Sequence, residues 1–342
     1  MITVVWFGID TLEASFRGDL EPGFVDQLEV LKARAQAEEH PQGLLLAGLD
    51  FAVQDHGLKP WPYLLKGDQM HLRFGTSSHF PTASVRLGAL GLACYGHQAL
   101  YEMAAEALAG VGADQETGLS RLDLAVDFQG WAPTTEEMEG VVCAASFRPV
   151  YPNTHAPETF QYGKGQVVVR VYNKTREIAV KGGTWRSALW DSCRGYASDQ
   201  DVWRFEVQLR REALKELGAH SAHDAFGNLD GLLGYGLEWA NLRVPQGQSS
   251  DRWQEDERWT ALRTATGATR YLERLKAESR IGDVEHLVPM IGGLSLSVAA
   301  RLGIYNLHQV LGILEPLIAE YAARDGLDFR ERARRRTEKL LG

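Results

Sequence analysis

Apolar and polar residues alternate along three segments of the chain. Side chains on a strand point to opposite faces in turn, so residues two apart share a face. In Arg121 to Phe128, Leu122, Leu124 and Val126 lie on one face, and Arg121, Asp123, Ala125 and Asp127 on the other. In Val167 to Lys174, Val167, Val169 and Val171 oppose Val168, Arg170, Tyr172 and Lys174. In Trp203 to Arg210, Trp203, Phe205, Val207 and Leu209 oppose Arg204, Glu206, Gln208 and Arg210. The pattern predicts three strands, each with one apolar face for packing and one face carrying both signs of charge.

Further strands are expected at Ile2 to Phe7, Met70 to Phe74 and Ala83 to Leu87. Ala-rich Gln98 to Leu108 reads as a helix, and a helix begins at Glu212 to Leu217. Thr134 and Glu137 form a Thr-x-x-Glu capping box that predicts a helix running toward Ala145. After about residue 218 the strand signal fades. Val244 to Asp256 is polar and reads as a loop, and helical patterns dominate from Ala268. Leu307, Val310, Leu311, Leu314, Leu317 and Ile318 keep the spacing of an amphipathic helix. The expected organisation is an α+β domain over 1–217 and a mostly helical region over 218–342.

Composition narrows the class. With 44% hydrophobic and 24% charged residues in 342, the chain matches soluble globular proteins. No apolar run approaches the roughly 18–20 residues that cross a bilayer, and Met-Ile-Thr-Val-Val-Trp lacks a signal-peptide pattern. A cytoplasmic protein without a membrane partner is expected. Cys94, Cys143 and Cys193 are widely spaced and form no Cys-x-x-Cys pair, so they read as buried free thiols.

A net charge of -9 argues against a protein that simply coats DNA. The charge is segregated, however. Residues 1–60 carry four Lys/Arg against ten Asp/Glu, whereas 163–217 carry eleven against seven and 324–342 seven against four. The two basic regions can still meet phosphate.

If the three strands are neighbours, their charged faces combine carboxylates, guanidiniums, an ammonium and a phenol. That set suits phosphoryl transfer. Carboxylates hold a divalent cation, Arg and Lys stabilise developing negative charge, and a tyrosine near cations becomes a useful nucleophile. Cross-strand acid–base pairs are also ordinary decoration of an antiparallel sheet, and a lone strand tyrosine is ordinarily structural.

The segments SRLDLAVDF (Ser120 to Phe128), YGKGQVVVRVYNKTRE (Tyr162 to Glu177) and WRFEVQLRR (Trp203 to Arg211) resemble the Rep_trans family. That family holds rolling-circle replication initiators of plasmids and filamentous phages, and related relaxases. Its pattern is an Arg-x-Asp strand, a Gly-containing turn into Arg-x-Tyr-x-Lys, then an Arg-x-Glu strand. All three occur here in that order. The opening Gly8-Ile9-Asp10-Thr11-Leu12 is similar to the start of such proteins, less specifically.

The resemblance implies an HUH-endonuclease-like antiparallel sheet flanked by helices, without the His-hydrophobic-His metal motif. This chain agrees: His220 and His223 are three apart and no His-x-His occurs. The implied nucleophile is Tyr172, which would attack a scissile phosphate of a single-stranded or extruded origin. A 5′-phosphotyrosine and a free 3′ hydroxyl would result, and a second transfer would rejoin the strand. Tyr151, Tyr162 and Tyr196 lack the Arg-x-Tyr-x-Lys setting.

Arg170 and Lys174 would flank the phosphate, and Arg204, Arg210 and Lys164 are the expected DNA contacts. Mg²⁺ or Mn²⁺ would be held by Glu206 with Asp123 or Asp127. Four strand residues span about 13 Å at roughly 3.3 Å each, so one of the two aspartates binds while the other pairs with Arg204 or Lys174. Asp123 is preferred for its central place; Glu177 reads as a helix-start residue.

Ser295 to Ile304 resembles the first part of a helix-turn-helix with Gly303 near the turn, and a plain helical bundle fits equally. Origin recognition, dimerisation or a contact with a host helicase are the roles open to that region. A mobilisation relaxase, a non-catalytic DNA-binding relative and an RNA-binding sheet are the competing functions. The last expects two or three stacking aromatics, and the polar faces offer Tyr172 alone.

Overall fold

Two strands of 15 residues, β1 (Thr3–Arg17) and β7 (Gln115–Gln129), run antiparallel at the centre of the sheet. Both are free of proline and rich in the branched and aromatic residues that suit a pleated surface. They extend well past the expected Ile2 to Phe7 and Arg121 to Phe128. Their pairing shifts register four times, first between Val4 and Trp6 and next between Ile9 and Thr11. Such bulges let long strands bend and re-aim single side chains. The computed structural model describes residues 2–153, 156–247, 249–268, 287–323 and 328–341.

The remaining strands of this sheet are β2 (Gln42–Leu46), β3 (Leu49–Val53), β4 (Tyr63–Lys66), β5 (Met70–Phe74) and β6 (Ala83–Leu87) on one side. After β8 (Val141–Val142) come β9 (Val150–Asn153), β10 (Ala156–Tyr162), β11 (Val167–Asn173) and β12 (Trp203–Arg210). The order is β2-β3-β4-β5-β6-β1-β7-β12-β11-β10-β9, and every pairing is antiparallel. The three alternating strands are therefore neighbours, in the order β7-β12-β11. A second small sheet joins β8 to β13 (Asn241–Val244) and β14 (Gln254–Glu255).

One sheet face carries the core. Leu12, Leu122, Leu124, Val126, Val169, Phe205 and Val207 are buried there. Helices α1 (Pro22–Glu38), α2 (Ala89–Tyr95) and α3 (His97–Ala109) contribute Leu28, Leu92 and Leu100 to the same cluster. The capping box at Thr134 is present, yet α4 (Thr135–Met138) ends early. Val141 and Val142 leave the helix to pair with Leu242 and Asn241.

The polar faces are not an open surface. The link from β11 to β12 forms α5 (Lys174–Lys181) and α6 (Trp185–Asp191), which cover part of them. Ile178 and Trp190 pack there against Val5 and Val202 in a second, smaller core.

The division of the chain falls between Arg274 and Leu275, not at 217/218. The reason is packing: α7 (Arg211–Glu216), α8 (Ala222–Phe226), α9 (Leu229–Trp239) and α10 (Glu257–Ala265) all join the sheet's core. Trp259 of α10 meets Phe205 edge-on at 5.3 Å. The expected loop Val244 to Asp256 also contributes β14 and a short 3-10 turn at Ser250–Arg252.

The second unit contains α11 (Leu287–Leu302), α12 (Leu307–Ala323) and α13 (Phe329–Leu341), so the C-terminal region is helical. Gly303, at φ +67°, links α11 to α12 in a backbone region that favours glycine. In α12, Val310 is buried, while Leu307, Leu311, Leu317 and Ile318 are exposed. The onset of helix expected at Ala268 precedes 269–286, which lie outside the described residues. Among the described residues no helix is long and apolar enough to cross a membrane. The cysteines are free, but Cys94 is exposed and Cys143 and Cys193 only half-buried, contrary to the expected buried thiols.

Helix α9 approaches β12 through Gly236. A Cβ at that position would lie 2.7 Å from Val207 Cβ, a stiff branched side chain. Gly236→Ala is therefore expected to lower stability by about 1–3 kcal/mol, outweighing the roughly 1 kcal/mol that alanine favours in a helix. The denaturant midpoint measures it, and an unchanged or higher midpoint would contradict this close approach.

Candidate active site

The polar faces of β7, β12 and β11, with part of β1, line a cleft of about 720 Å³. Tyr172 lies in it, 9% exposed. Its hydroxyl donates to Glu206 Oε2 at 2.9 Å. Register explains the contact: Glu206 sits directly opposite Arg170, and Tyr172 directly opposite Arg204, so the phenol reaches diagonally to the next cross-strand neighbour. Arg170 donates to the other oxygen, Glu206 Oε1, at 3.0 Å. Ala125, opposite Glu206 on β7, adds no bulk to that row.

Lys174 reaches the same place by another route. The expected strand alternation ends at Asn173, which caps α5 by accepting from the Arg176 backbone N–H at 2.9 Å. Lys174 is thus the first helical residue. Its Nζ stands 5.4 Å from the Tyr172 ring centroid and is paired with Glu177. Glu177 is a first-turn helical residue, as expected, and also takes Lys181. Burial, then the charges of Arg204 and Arg186, hold the Lys174 ammonium below the usual lysine range.

The two aspartates of β7 have different environments. Asp127 is fully buried, accepts from Arg204 Nε at 2.5 Å and Nη2 at 2.9 Å, and from Trp190 Nε1 at 2.9 Å. It takes the ion-pair alternative. Asp123 lines the cleft and is held by Arg121, with Nε at 2.8 Å and Nη2 at 2.5 Å. Burial pushes the Asp123 carboxyl up to about 6, with the nearby charges of Glu206 and Asp10 adding to it and Arg121 opposing.

The sequence pattern did not reveal Asp10. Counting back from buried Leu12, simple alternation would put Asp10 on the apolar face. The register shift between Ile9 and Thr11 instead leaves Asp10 and Thr11 both lining the cleft. Asp10 Oδ1 accepts from Arg204 Nη1 and from Arg186 Nη2, each at 2.5 Å. Burial alone would raise its carboxyl. Arg204, Arg186 and Lys174 outweigh that and leave it at about 2. Arg186, on α6, was equally absent from the expected site, because nothing in its local pattern marks it.

The expected DNA contacts separate. Arg204 is fully buried and its guanidinium is divided between Asp127 and Asp10, so it faces no ligand. Arg210 is exposed at the end of β12. Lys164 lies in the turn between β10 and β11, with Nζ 5.3 Å from the Phe147 ring, outside the cleft. Tyr162 is buried on the core face, donating to the Met138 carbonyl at 2.9 Å.

The expected cation ligands do not converge. Among the described residues no three Asp, Glu, His or Cys side chains lie close enough to hold a metal ion. Asp123, Asp127 and Glu206 each already meet a guanidinium. The donor set as arranged does not fit a ready-made Mg²⁺ or Mn²⁺ site.

Tyr172 itself is not pre-ionised. Burial, then the charge of Glu206, holds its phenol well above the ordinary value, although Arg204 opposes this. The cleft therefore presents a neutral phenol hydrogen-bonded to a carboxylate, flanked by a guanidinium and an ammonium. That is an arrangement for attack with proton removal by a base.

No family model matches the chain, and no curated protein matches its sequence. Among solved structures, the rolling circle replication initiator protein from Geobacillus stearothermophilus is similar in fold. The match has a TM-score of 0.50 at 13% identity, covering 80% of this chain and 99% of that one. The large antiparallel sheet flanked by helices is thus the fold of that initiator.

Asp123 generates a pH dependence. Its folded value, about 6, exceeds the ordinary 3.8. Its ionisation therefore costs stability, and that cost is absent below about pH 4 and complete above about pH 6. Relative to Asp123→Asn, the wild-type chain is expected to lose stability as pH rises through this window. Urea midpoints at several pH values measure it, and a constant gap between the two proteins would contradict the buried, proton-retaining Asp123.

Proposed function

We propose that this chain initiates rolling-circle replication by nicking one DNA strand at an origin with Tyr172 and later rejoining it. The observation that carries the proposal is the Tyr172 hydroxyl donating to Glu206 at 2.9 Å, inside a cation-lined cleft. The initiator fold and the three ordered motifs support it.

In this reading the Tyr172 oxygen attacks the scissile phosphorus and its proton passes to Glu206. The phosphorus–O3′ bond breaks, leaving a 5′-phosphotyrosine and a free 3′ hydroxyl. The departing 3′ oxygen takes a proton from Lys174, whose ammonium burial and neighbouring cations make more acidic. Arg170 supports the negative charge that develops on the phosphate. It also orients Glu206 through the 3.0 Å contact. Rejoining is the reverse: a 3′ hydroxyl attacks the phosphotyrosine and the phenol leaves.

The deep placement of Tyr172 suits an extruded or single-stranded substrate, because a duplex backbone stays outside such a cleft. Asp10 and Arg186 act through others in this account. Arg186 holds Asp10, Asp10 holds Arg204, and Arg204 fixes the floor beneath the phenol.

The test is relaxation of a supercoiled plasmid carrying the chain's own origin. Wild type should nick and relax it. Tyr172→Phe should do neither. Glu206→Gln should bind the origin but nick about 10²- to 10⁴-fold more slowly, the usual contribution of a positioned base. The same assay with Mg²⁺, with Mn²⁺ and with a chelator reads any cation requirement. No relaxation by wild type in any of these conditions would overturn the proposal, and full activity of Glu206→Gln would remove Glu206 as the base.

A further inference from the structure

A row of charged residues crosses the sheet away from the cleft, one residue per strand. Register places Lys66 (β4) opposite His71 (β5), His71 opposite Arg86 (β6), and Arg86 opposite Glu13 (β1). The row continues with Glu13 opposite Arg121 (β7) and Arg121 opposite Arg210 (β12). An ordinary decorated sheet alternates signs across such a row, because like charges directly opposite destabilise it. Here four cations and a histidine share one carboxylate within the row, and Asp123, two residues along β7, takes Arg121.

That carboxylate is oversubscribed. Glu13 Oε2 takes Arg73 Nη1 at 3.2 Å and Oε1 takes Arg86 Nε at 3.8 Å. The local field is accordingly positive: burial, then Arg86, Lys66 and Arg73, hold the His71 imidazole below its usual range. Lys66 and Arg210 are exposed and the Arg86 side chain is 39% exposed, so the row faces solvent. Arg86 and Arg121 also line the cleft. The row and the cleft are thus one continuous surface on the sheet's polar face.

We propose that this row is a track for the single-stranded DNA flanking the scissile phosphate, running from the cleft across β7, β1, β6 and β5 to Lys66. The proposal rests on the nicking reading for where the strand starts. The partner follows from charge and shape: a flexible polyanion with a phosphate at every nucleotide can meet cations on β4, β6, β7 and β12, which stand one or two strand spacings of roughly 4.8 Å apart. Lys66 stands six strands from Tyr172 in the sheet order, about 29 Å across the strands at that spacing, and its row crosses β7 six residues from the one that holds Tyr172. A strand long enough to cover it extends well beyond the scissile bond. The track also locates DNA-binding charge on a chain whose net charge is -9.

The test measures binding of labelled oligothymidine, one of about 6 and one of about 20 nucleotides, by fluorescence anisotropy across a salt series. All proteins also carry Tyr172→Phe, so that binding is read without chemistry. Lys66→Gln with Arg86→Gln should weaken the long oligonucleotide several-fold at low salt and flatten its salt slope by about 1.4, roughly 0.7 for each lost phosphate contact. Lys66→Gln alone should weaken the long oligonucleotide and leave the short one unchanged. Lys215→Gln, exposed on α7 and outside the cleft and the row, serves as the charge-matched control and should change neither. Equal loss in the control, or an unchanged long-strand affinity and slope in the double variant, would overturn the track. So would a wild-type surface that binds long and short oligonucleotides equally. Failure of plasmid nicking with these binding results intact would count against the nicking reading and not against the track.

Discussion

Arg204 carries its charge where water does not reach. It survives there because two carboxylates share its guanidinium: Asp127 from β7 and Asp10 from β1. Removing a guanidinium from water costs several kcal/mol, and only close, well-aligned partners offset it. Trp190 and Arg186, from α6, complete the group by bonding to Asp127 and Asp10. Three adjacent strands and the helix that covers them are therefore tied through one side chain. Breaking one partner would leave the rest as uncompensated buried charge, a loss of about 3–5 kcal/mol in typical cases.

The cleft is built on that tie. Tyr172 lies directly across from Arg204, so the ion-pair floor sets the depth and direction of the phenol. Above the floor, the bonds are fewer and more exposed: Arg170 to Glu206, and Lys174 to Glu177. A rigid, neutralised base and a more exposed charged rim are what a phosphodiester needs. In the proposed reaction the base positions the nucleophile, and the rim has cations to offer an arriving phosphate. Charge is spent unevenly across the same sheet face, balanced at Arg204 and unbalanced along the row that ends at Lys66.

The strands β11 and β12 were legible residue for residue, because their alternation is unbroken and both pair without register shifts. The shared face of Arg170, Tyr172 and Glu206 was legible for the same reason. Asp127 was legible as a choice between metal and ion pair, which the proximity of Arg204 decides. Asp10 was hidden by a bulge, since period-two reasoning fails where one extra residue enters a strand. Lys174 was placed on the right side for the wrong reason, as the chain turns into a helix after Asn173. Arg204 read as a DNA contact because a sequence does not show that α5 and α6 fold back over the polar face. The extent of the first unit was missed because α9 and α10 attach through long-range packing on β12, which leaves no local signal.

In the proposed reaction one particular oxygen, Tyr172 Oη, becomes covalently bound to DNA. Peptide mass spectrometry of the protein after reaction with an origin oligonucleotide, digested with nuclease and protease, tests it most directly. A nucleotide adduct is expected on the peptide containing Val167 to Asn173, with fragment ions assigning it to Tyr172. An adduct on Tyr151, Tyr196 or any other residue, or hydrolysis of the strand with no protein adduct at all, would contradict it.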